Sequence, residues 1–284
     1  KILKAKSQTL EPFAVSSKIK KQDIRALLYE NNNLWIGTNT EGLKVLNLQT
    51  HKILEYYHIR ENSQSISSNS VLSLYKDSKD DIYIGTSWGL CKYNKNSDNF
   101  EALSFIGTMT AVSDILEDKD GYLWFATNNS GVFRYNSNSK QWRHYLYDDS
   151  NPKSIRNNSI ITIFEDSNGK IWLGTNGSGL CFFNQEDDSF IDFDPHKEIL
   201  TNQVVYSIEE DGLGYLWISS NNGLLRVNPE DSTSRKLFTQ ENGLQSNQFN
   251  FKASLRSSFG KLYFGGINGF NAFYPSEFKE NLYV

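Results

Sequence analysis

The stretch "NNNLWIGTNTEGLKVLN" (31–47) is written, with variations, six times along the chain, and no other feature limits the fold so tightly. Its short aromatic strand recurs as "LWIGT", "IYIGT", "LWFAT", "IWLGT", "LWISS" and "LYFGG". The aromatic residues of these strands, Trp35, Tyr83, Trp124, Trp172, Trp217 and Tyr263, stand 48, 41, 48, 45 and 46 residues apart. A period of roughly 40–50 residues is that of one propeller blade. Within each unit an apolar strand such as "SVLSLYK" or "SIITIFE" comes first, then an acidic tight turn such as "EDKDG" or "EDSNG". The aromatic strand follows, then a polar turn ending in Gly, a third strand ("GLCKYN", "GVFRYN", "GLLRVN") and a more variable fourth ("KILEYY", "QWRHY", "SFIDF"). Four short strands per repeat and no helical periodicity predict an all-β chain, a β-propeller of four-stranded antiparallel blades with six repeats.

The recurring glycines, Gly42, Gly89, Gly131, Gly179, Gly223 and Gly269, fall where the second strand turns into the third. Only Gly takes positive φ there without steric cost, so they are read as turn residues. The six aromatic anchors are expected to fill the wedges between neighbouring blades. At the ends, "KILKAKSQTLEPFAV" aligns with the third and fourth strands of a blade, while the last unit stops after its third strand. A strand near Leu10–Ala14 pairing with Phe270–Tyr274 would complete the last blade, close six blades and remove an aggregation-prone edge. The propeller is expected over residues 1–275, with 276–284 beginning a linker.

Composition narrows the function classes. Aromatic residues make up 14% of the chain, which suits strands. A net charge of −4 with both signs dispersed leaves no basic footprint for nucleic acid. No apolar run approaches the roughly 18 residues that cross a bilayer, so this chain is not expected to insert into a membrane directly. Cys91 and Cys181 occupy equivalent third-strand positions two blades apart, too far for the Cα separation of about 7 Å that a disulfide permits, and read as buried free thiols.

No catalytic residue, metal site or cofactor is expected. The four histidines, His51, His58, His144 and His196, fall in or just after outer strands rather than in inner loops. A metal-dependent lyase or lactonase would need an inward ring of such ligands. The "DKDGYLW" of 118–124 is similar to an aspartate box and to half a calcium loop, but no distal Glu follows at calcium-loop spacing. Its recurrence with varied residues reads as hairpin chemistry. Most acidic residues cluster in these hairpins, opposite the polar loops, which argues against the paired carboxylates of a glycosidase.

The pattern seen nearly complete in "VSDILEDKDGYLWFATNNSGVFRYN" (112–136) resembles the two-component regulator propeller repeat, and "LYFGGINGFNAFYP" (262–275) is similar to the last repeat of that family. The resemblance implies the sensory region of a hybrid two-component protein of the kind found in Bacteroides-like bacteria. It implies a periplasmic location, a parent histidine kinase in the inner membrane, an immunoglobulin-like connector after the propeller, and homodimerisation through the parent receptor. It also implies about seven blades, which stands as the alternative to six.

Loop composition suggests where a ligand sits. The second-to-third and fourth-to-first connections of a blade open on one face, and here both are rich in amides and hydroxyls. Amides donate and accept at once, which suits sugar hydroxyls, and Trp88 offers a flat face where the other copies carry Asn or Gly. The expected ligand contacts, with an oligosaccharide as partner, are Trp88, Asn39, Asn128, Asn129, Asn176, Asn221, Asn222 and Asn268. The competing reading is that Asn, Ser and Gly populate these loops because they tolerate turns. A protein-interaction scaffold and a carbohydrate-active lyase or lactonase are the other function classes in play.

Overall fold

Alternation along each first strand, a tight hairpin and a β-branched or aromatic second strand produce the same meander six times. The computed structural model describes residues 2–3, 10–11, 19, 22–107, 109–194, 200 and 202–277. Blade 1 runs β3 (Ile24–Glu30), β4 (Asn33–Thr38), β5 (Leu43–Asn47) and β6 (Ile53–Tyr56), after a two-residue ladder of β1 (Ile2–Leu3) and β2 (Leu10–Glu11). Blade 2 is β7 (Val71–Lys76), β8 (Ile82–Thr86), β9 (Gly89–Asn94) and β10 (Asn99–Ala102). Blade 3 is β11 (Ala111–Glu117), β12 (Tyr122–Asn128), β13 (Val132–Asn136) and β14 (Gln141–Tyr145). Blade 4 is β15 (Ile160–Glu165), β16 (Ile171–Thr175), β17 (Leu180–Asn184) and β18 (Ser189–Asp192). Blade 5 is β19 (Val205–Glu210), β20 (Leu216–Ser220), β21 (Gly223–Asn228) and β22 (Asp231–Phe238). Blade 6 shows β23 (Phe249–Arg256), β24 (Leu262–Gly266) and β25 (Gly269–Phe273) among the described residues. This is an all-β, six-bladed β-propeller. Blades 1 and 2 belong to one compact unit, 1–109, and blades 3 to 6 to a second, 110–284.

The acidic turns are hairpin chemistry, with a more specific cause than turn propensity. In blade 3 the Asp118 carboxylate accepts the Asp120 and Tyr122 amides through Oδ1 (3.1 and 2.8 Å) and the Trp124 indole N–H through Oδ2 (2.7 Å). Asp166 holds Asn168, Lys170 and Trp172 in the same way, and Asp211 holds Leu213, Tyr215 and Trp217. In blade 2 Asp77 takes the Lys79 and Asp81 amides and the Tyr83 hydroxyl. One buried carboxylate therefore closes the hairpin and fixes the anchor six residues on, satisfying three donors that burial would otherwise orphan.

Four of the anchors pack on the next blade in their unit. Trp35 lies with Val71, Leu74, Ile82, Ile84, Cys91 and Phe100 of blade 2. Trp124 packs with Ile160, Ile163, Leu173 and Phe183, and Trp172 with Val205, Ile208, Leu216 and Ile218. Trp217 meets Phe249, Leu262 and Phe264. Five of the six anchors are buried as expected; Tyr263, in the last blade, is only half-buried.

The six turn glycines all have positive φ. At Gly131 and Gly42 a second constraint acts: a Cβ would come within 2.1 Å of the Tyr145 carbonyl oxygen and 2.3 Å of that of Tyr56. These positions exclude a side chain by backbone proximity as well as by conformation.

The N-terminal segment differs from its expected role. Leu10 and Glu11 pair with Leu3 and Ile2 rather than with the third strand of the last blade. A local hairpin closes a far shorter loop than a strand drawn from the opposite end of the chain. Residues 12–14 lie outside the described residues, as does 278–284 of the expected linker.

Candidate functional site: the second-to-third strand loops

The loops are built on a hydroxyl at the end of each second strand. Thr38, Thr86, Thr127, Thr175 and Ser220 donate to the carbonyls of Gly42, Gly89, Gly131, Gly179 and Gly223 at 2.7–3.0 Å. The same oxygens accept the amides of Glu41, Trp88, Ser130, Ser178 and Asn222. This is the reason for Thr or Ser after "WIG", "YIG", "WFA", "WLG" and "WIS", and it makes each loop rigid at its root.

In the first unit Trp88 stands 56% exposed, with its amide tied to Thr86 and its ring edge-on to His58 at 6.5 Å. His58 donates through Nδ1 to the Ile66 carbonyl at 2.9 Å, and its amide is held by the Asn69 side chain. Asn39 is half-buried and its carbonyl oxygen accepts the Ser70 hydroxyl at 3.3 Å. A rigid, mostly exposed indole braced by an imidazole is a stacking surface; Asn39 is partly committed to its own loop.

In the second unit the expected residues divide. Asn221 accepts the Val204 amide at 2.9 Å, and Asn268 donates to the Gln245 carbonyl at 3.3 Å. Both side chains serve loop structure. Asn128 accepts only a long bond from Ser159, at 3.5 Å. Asn129 (φ 72°), Asn176 and Asn222 are exposed, with side chains that have no hydrogen-bond partner among the described residues. The amides of the fourth-to-first connections are mostly braces: Asn158 holds Gly131 through its carbonyl and Tyr147 through its side chain, and Asn247 holds Gln240.

Two histidines sit in or just after outer strands, as expected, yet touch the polar loops. His144 donates from Nε2 to the Ser130 carbonyl at 2.7 Å and stacks on Phe133 at 4.0 Å, so it reaches a second-to-third loop from an outer strand. His58 does so beside Trp88. The signal lay in antiparallel pairing, which sets Phe133 opposite His144. His51 is exposed at an outer turn, and His196 lies outside the described residues.

Sequence reasoning also passed over charged groups on the first strands of the second unit. Asp114 accepts the Ile163 amide and the Lys252 ammonium (2.5 Å), and Lys252 reaches it from a bulge that carries it to φ 52°. Glu209 accepts the Ser254 hydroxyl at 2.7 Å. Burial pushes the Glu209 carboxyl above its ordinary value of 4.5, against the opposing effects of Ser254 and Arg256. A raised folded-state value means that Glu209 favours folding most at low pH and that this contribution is lost as pH rises through the folded value. Glu209→Gln is therefore expected to raise the melting temperature at pH 7, with the gain over the parent vanishing below pH 4.5; melting across that range checks it.

Among the described residues no three His, Cys, Asp or Glu side chains converge as a metal site. Cys91 and Cys181 are buried free thiols; burial lifts Cys181 to about 12, and Ser67 contacts the Cys91 sulfur at 2.9 Å.

Comparison with known proteins places the repeat. The model of the "Two component regulator propeller" family matches residues 65–88, 107–129, 154–177 and 199–222. "Histidine kinase P4" of Formosa agariphila is 32% identical over 88 residues, covering 28% of this chain and 6% of that protein. Among solved structures, the extracellular domain of a protein assigned as a hybrid two component system of B. thetaiotaomicron superposes with a TM-score of 0.72 at 20% identity, covering 88% of this chain and 33% of that one. PorZ of Porphyromonas gingivalis gives 0.67 at 18%, covering 88% and 38%. Virginiamycin B lyase of Staphylococcus aureus gives 0.63 at 13%, covering 91% and 86%. At these identities the superpositions speak to fold alone, and the chain spans about a third of the length of the first two. Each matched segment ends at one of the polar loops described above, and over these four segments the chain is similar to the two component regulator propeller repeat.

Proposed function

We propose that this chain is the extracytoplasmic sensory propeller of a hybrid two-component signalling protein, without catalytic activity of its own, and that it takes an oligosaccharide on its second-to-third strand loops. The observation that carries the reading is Trp88: a large apolar side chain left 56% exposed on a loop pinned at its root, where the equivalent positions carry the polar residues Glu41, Ser130, Ser178 and Asn222. The four matches to the two component regulator propeller repeat and the resemblance of an 88-residue stretch to a histidine kinase support the signalling part. In the second unit the uncommitted amides of Asn129, Asn176 and Asn222 supply donors and acceptors for hydroxyls. Its partners are then the other domains of its receptor, including a connector after residue 276, and a second receptor copy. Ligand shifts the population of receptor states by its differential affinity for them. Periplasmic placement, with the receptor in the inner membrane, follows from the same reading.

A thermal-shift screen against plant and host oligosaccharides tests it, because a ligand that binds the folded state raises the midpoint by mass action. Trp88→Ala is expected to weaken the best ligand by about 1–3 kcal/mol, as for an anchor contact, while leaving the unliganded midpoint almost unchanged. Unaltered affinity in that variant removes the loop from the site.

A further inference from the structure

The hairpin of blade 1 breaks the rule that blades 2 to 5 obey. Between the last paired residues of the first and second strands, blades 2 to 5 insert five residues beginning with the aspartate that holds the anchor; blade 1, whose last pair is Glu30 with Asn33, inserts two, Asn31 and Asn32. Asn31 and Asn32 both take left-handed backbone (φ 47° and 62°), as a two-residue hairpin requires. Glu30 thus stands five residues before Trp35 instead of six, and its carboxylate is turned to Asn31 and, at 3.9 Å, to Lys95. The Trp35 indole N–H is left with no hydrogen-bond partner among the described residues, although the residue is 4% exposed. In blades 3 to 5 the equivalent N–H meets a carboxylate at 2.7–2.9 Å.

The Trp35 side chain borders its own hairpin. Glu30, Asn31 and Asn33 of that hairpin line a cleft of about 500 Å³ together with Trp35, Asn47, Lys52 and Lys95. Two ammonium groups against one carboxylate leave the lining with a surplus positive charge. A buried N–H without an acceptor costs free energy comparable to a lost hydrogen bond, so an incoming acceptor is favoured here more than at a wet surface. The N–H is itself covered, and entry requires a rim side chain to swing aside; Asn31 and Lys95 are both exposed and long enough to do so.

We propose that this cleft is a binding site for a small carboxylate-bearing polyhydroxy ligand, whose carboxylate takes the place of the aspartate that blade 1 lacks. The carboxylate accepts from Trp35 Nε1 and pairs with Lys95, while Asn33, whose side-chain carbonyl accepts the Asn47 amide, offers its own side-chain N–H to a neighbouring hydroxyl; Asn47 and Thr50 are held to each other. The site lies wholly in the first unit, and the proposal stands independently of ligand binding at the Trp88 loop.

The test uses the whole chain labelled with ¹⁵N and follows the Trp35 indole resonance. D-glucuronate and D-gluconate are the probes for a ring acid and an open-chain acid, with D-glucose as the neutral control. Saturable movement of the Trp35 resonance by either acid and not by glucose is expected, and whichever acid binds more tightly names the source. Lys95→Ala, at an exposed position, should weaken the acid about tenfold, the loss expected for one charge-assisted hydrogen bond. Trp35→Phe keeps a ring in the core and removes the donor, and should weaken it comparably. A Trp35 resonance that neither acid moves, equal movement by glucose, or unchanged affinity in Lys95→Ala overturns the proposal.

Discussion

Trp172→Ala is expected to lower the unfolding free energy by about 3–5 kcal/mol, the range for deleting a large aromatic side chain from a core. The ring is fully buried between blades 4 and 5, with Phe182 and Phe193 at 5.0 and 5.3 Å between ring centroids. Its removal strips packing from Val205, Ile208, Leu216 and Ile218 of the following blade and leaves Asp166 Oδ2 without its donor. Tyr263→Ala should cost markedly less, because that ring is only half-buried. Urea unfolding of the two variants beside the parent measures both. Equal losses would mean that the anchors do not work as wedges between blades.

Asp118→Ala carries the second large effect, about 2–3 kcal/mol, although it removes a carboxylate from what reads as a solvated acidic turn. Three donors lose their acceptor: the Asp120 and Tyr122 amides and the Trp124 indole N–H. The turn amides regain water, but the indole is completely buried and does not. Arg134, 3.9 Å from the same carboxylate, also loses a countercharge. Asp120→Ala, two residues on in an exposed position, should stay within about 0.5 kcal/mol, as surface substitutions do. Similar losses in the two variants would return the acidic turns to simple turn propensity.

Blade count and strand order were legible because the aromatic strand and the strands on either side of it recur six times at a nearly constant spacing. What was not legible is the division of labour inside a hairpin. "EDKDG" shows two aspartates, and only three-dimensional register shows that Asp118 is buried under Trp124 while Asp120 faces water. The absence of this device in blade 1 could have been counted, since Glu30 stands five residues before Trp35, but its meaning depends on knowing what the aspartate does elsewhere. The loop site was legible as composition and not as commitment. Asn221 and Asn222 are neighbours of one type, yet Asn221 is used up by the Val204 amide while the Asn222 side chain is left exposed to solvent. His58 and His144 were placed on outer strands correctly and judged remote wrongly, because long side chains on a short fourth strand reach across the sheet to the loop. The N-terminal pairing failed for a different reason: alignment to a blade says which strand a segment resembles, and local hairpin closure decided its partner.

The central claim is that the chain receives a ligand on loops anchored by the second-strand hydroxyls, with the acidic hairpins as structure. The most direct measurement is an amide and indole NMR footprint of the whole chain with the oligosaccharide that stabilises it most. The account predicts that Trp88 and the amides of its loop shift, while Asp77 and its hairpin in the same unit do not. Shifts confined to the hairpins or the outer strands, or no binding by any oligosaccharide that activates the intact receptor, would contradict it.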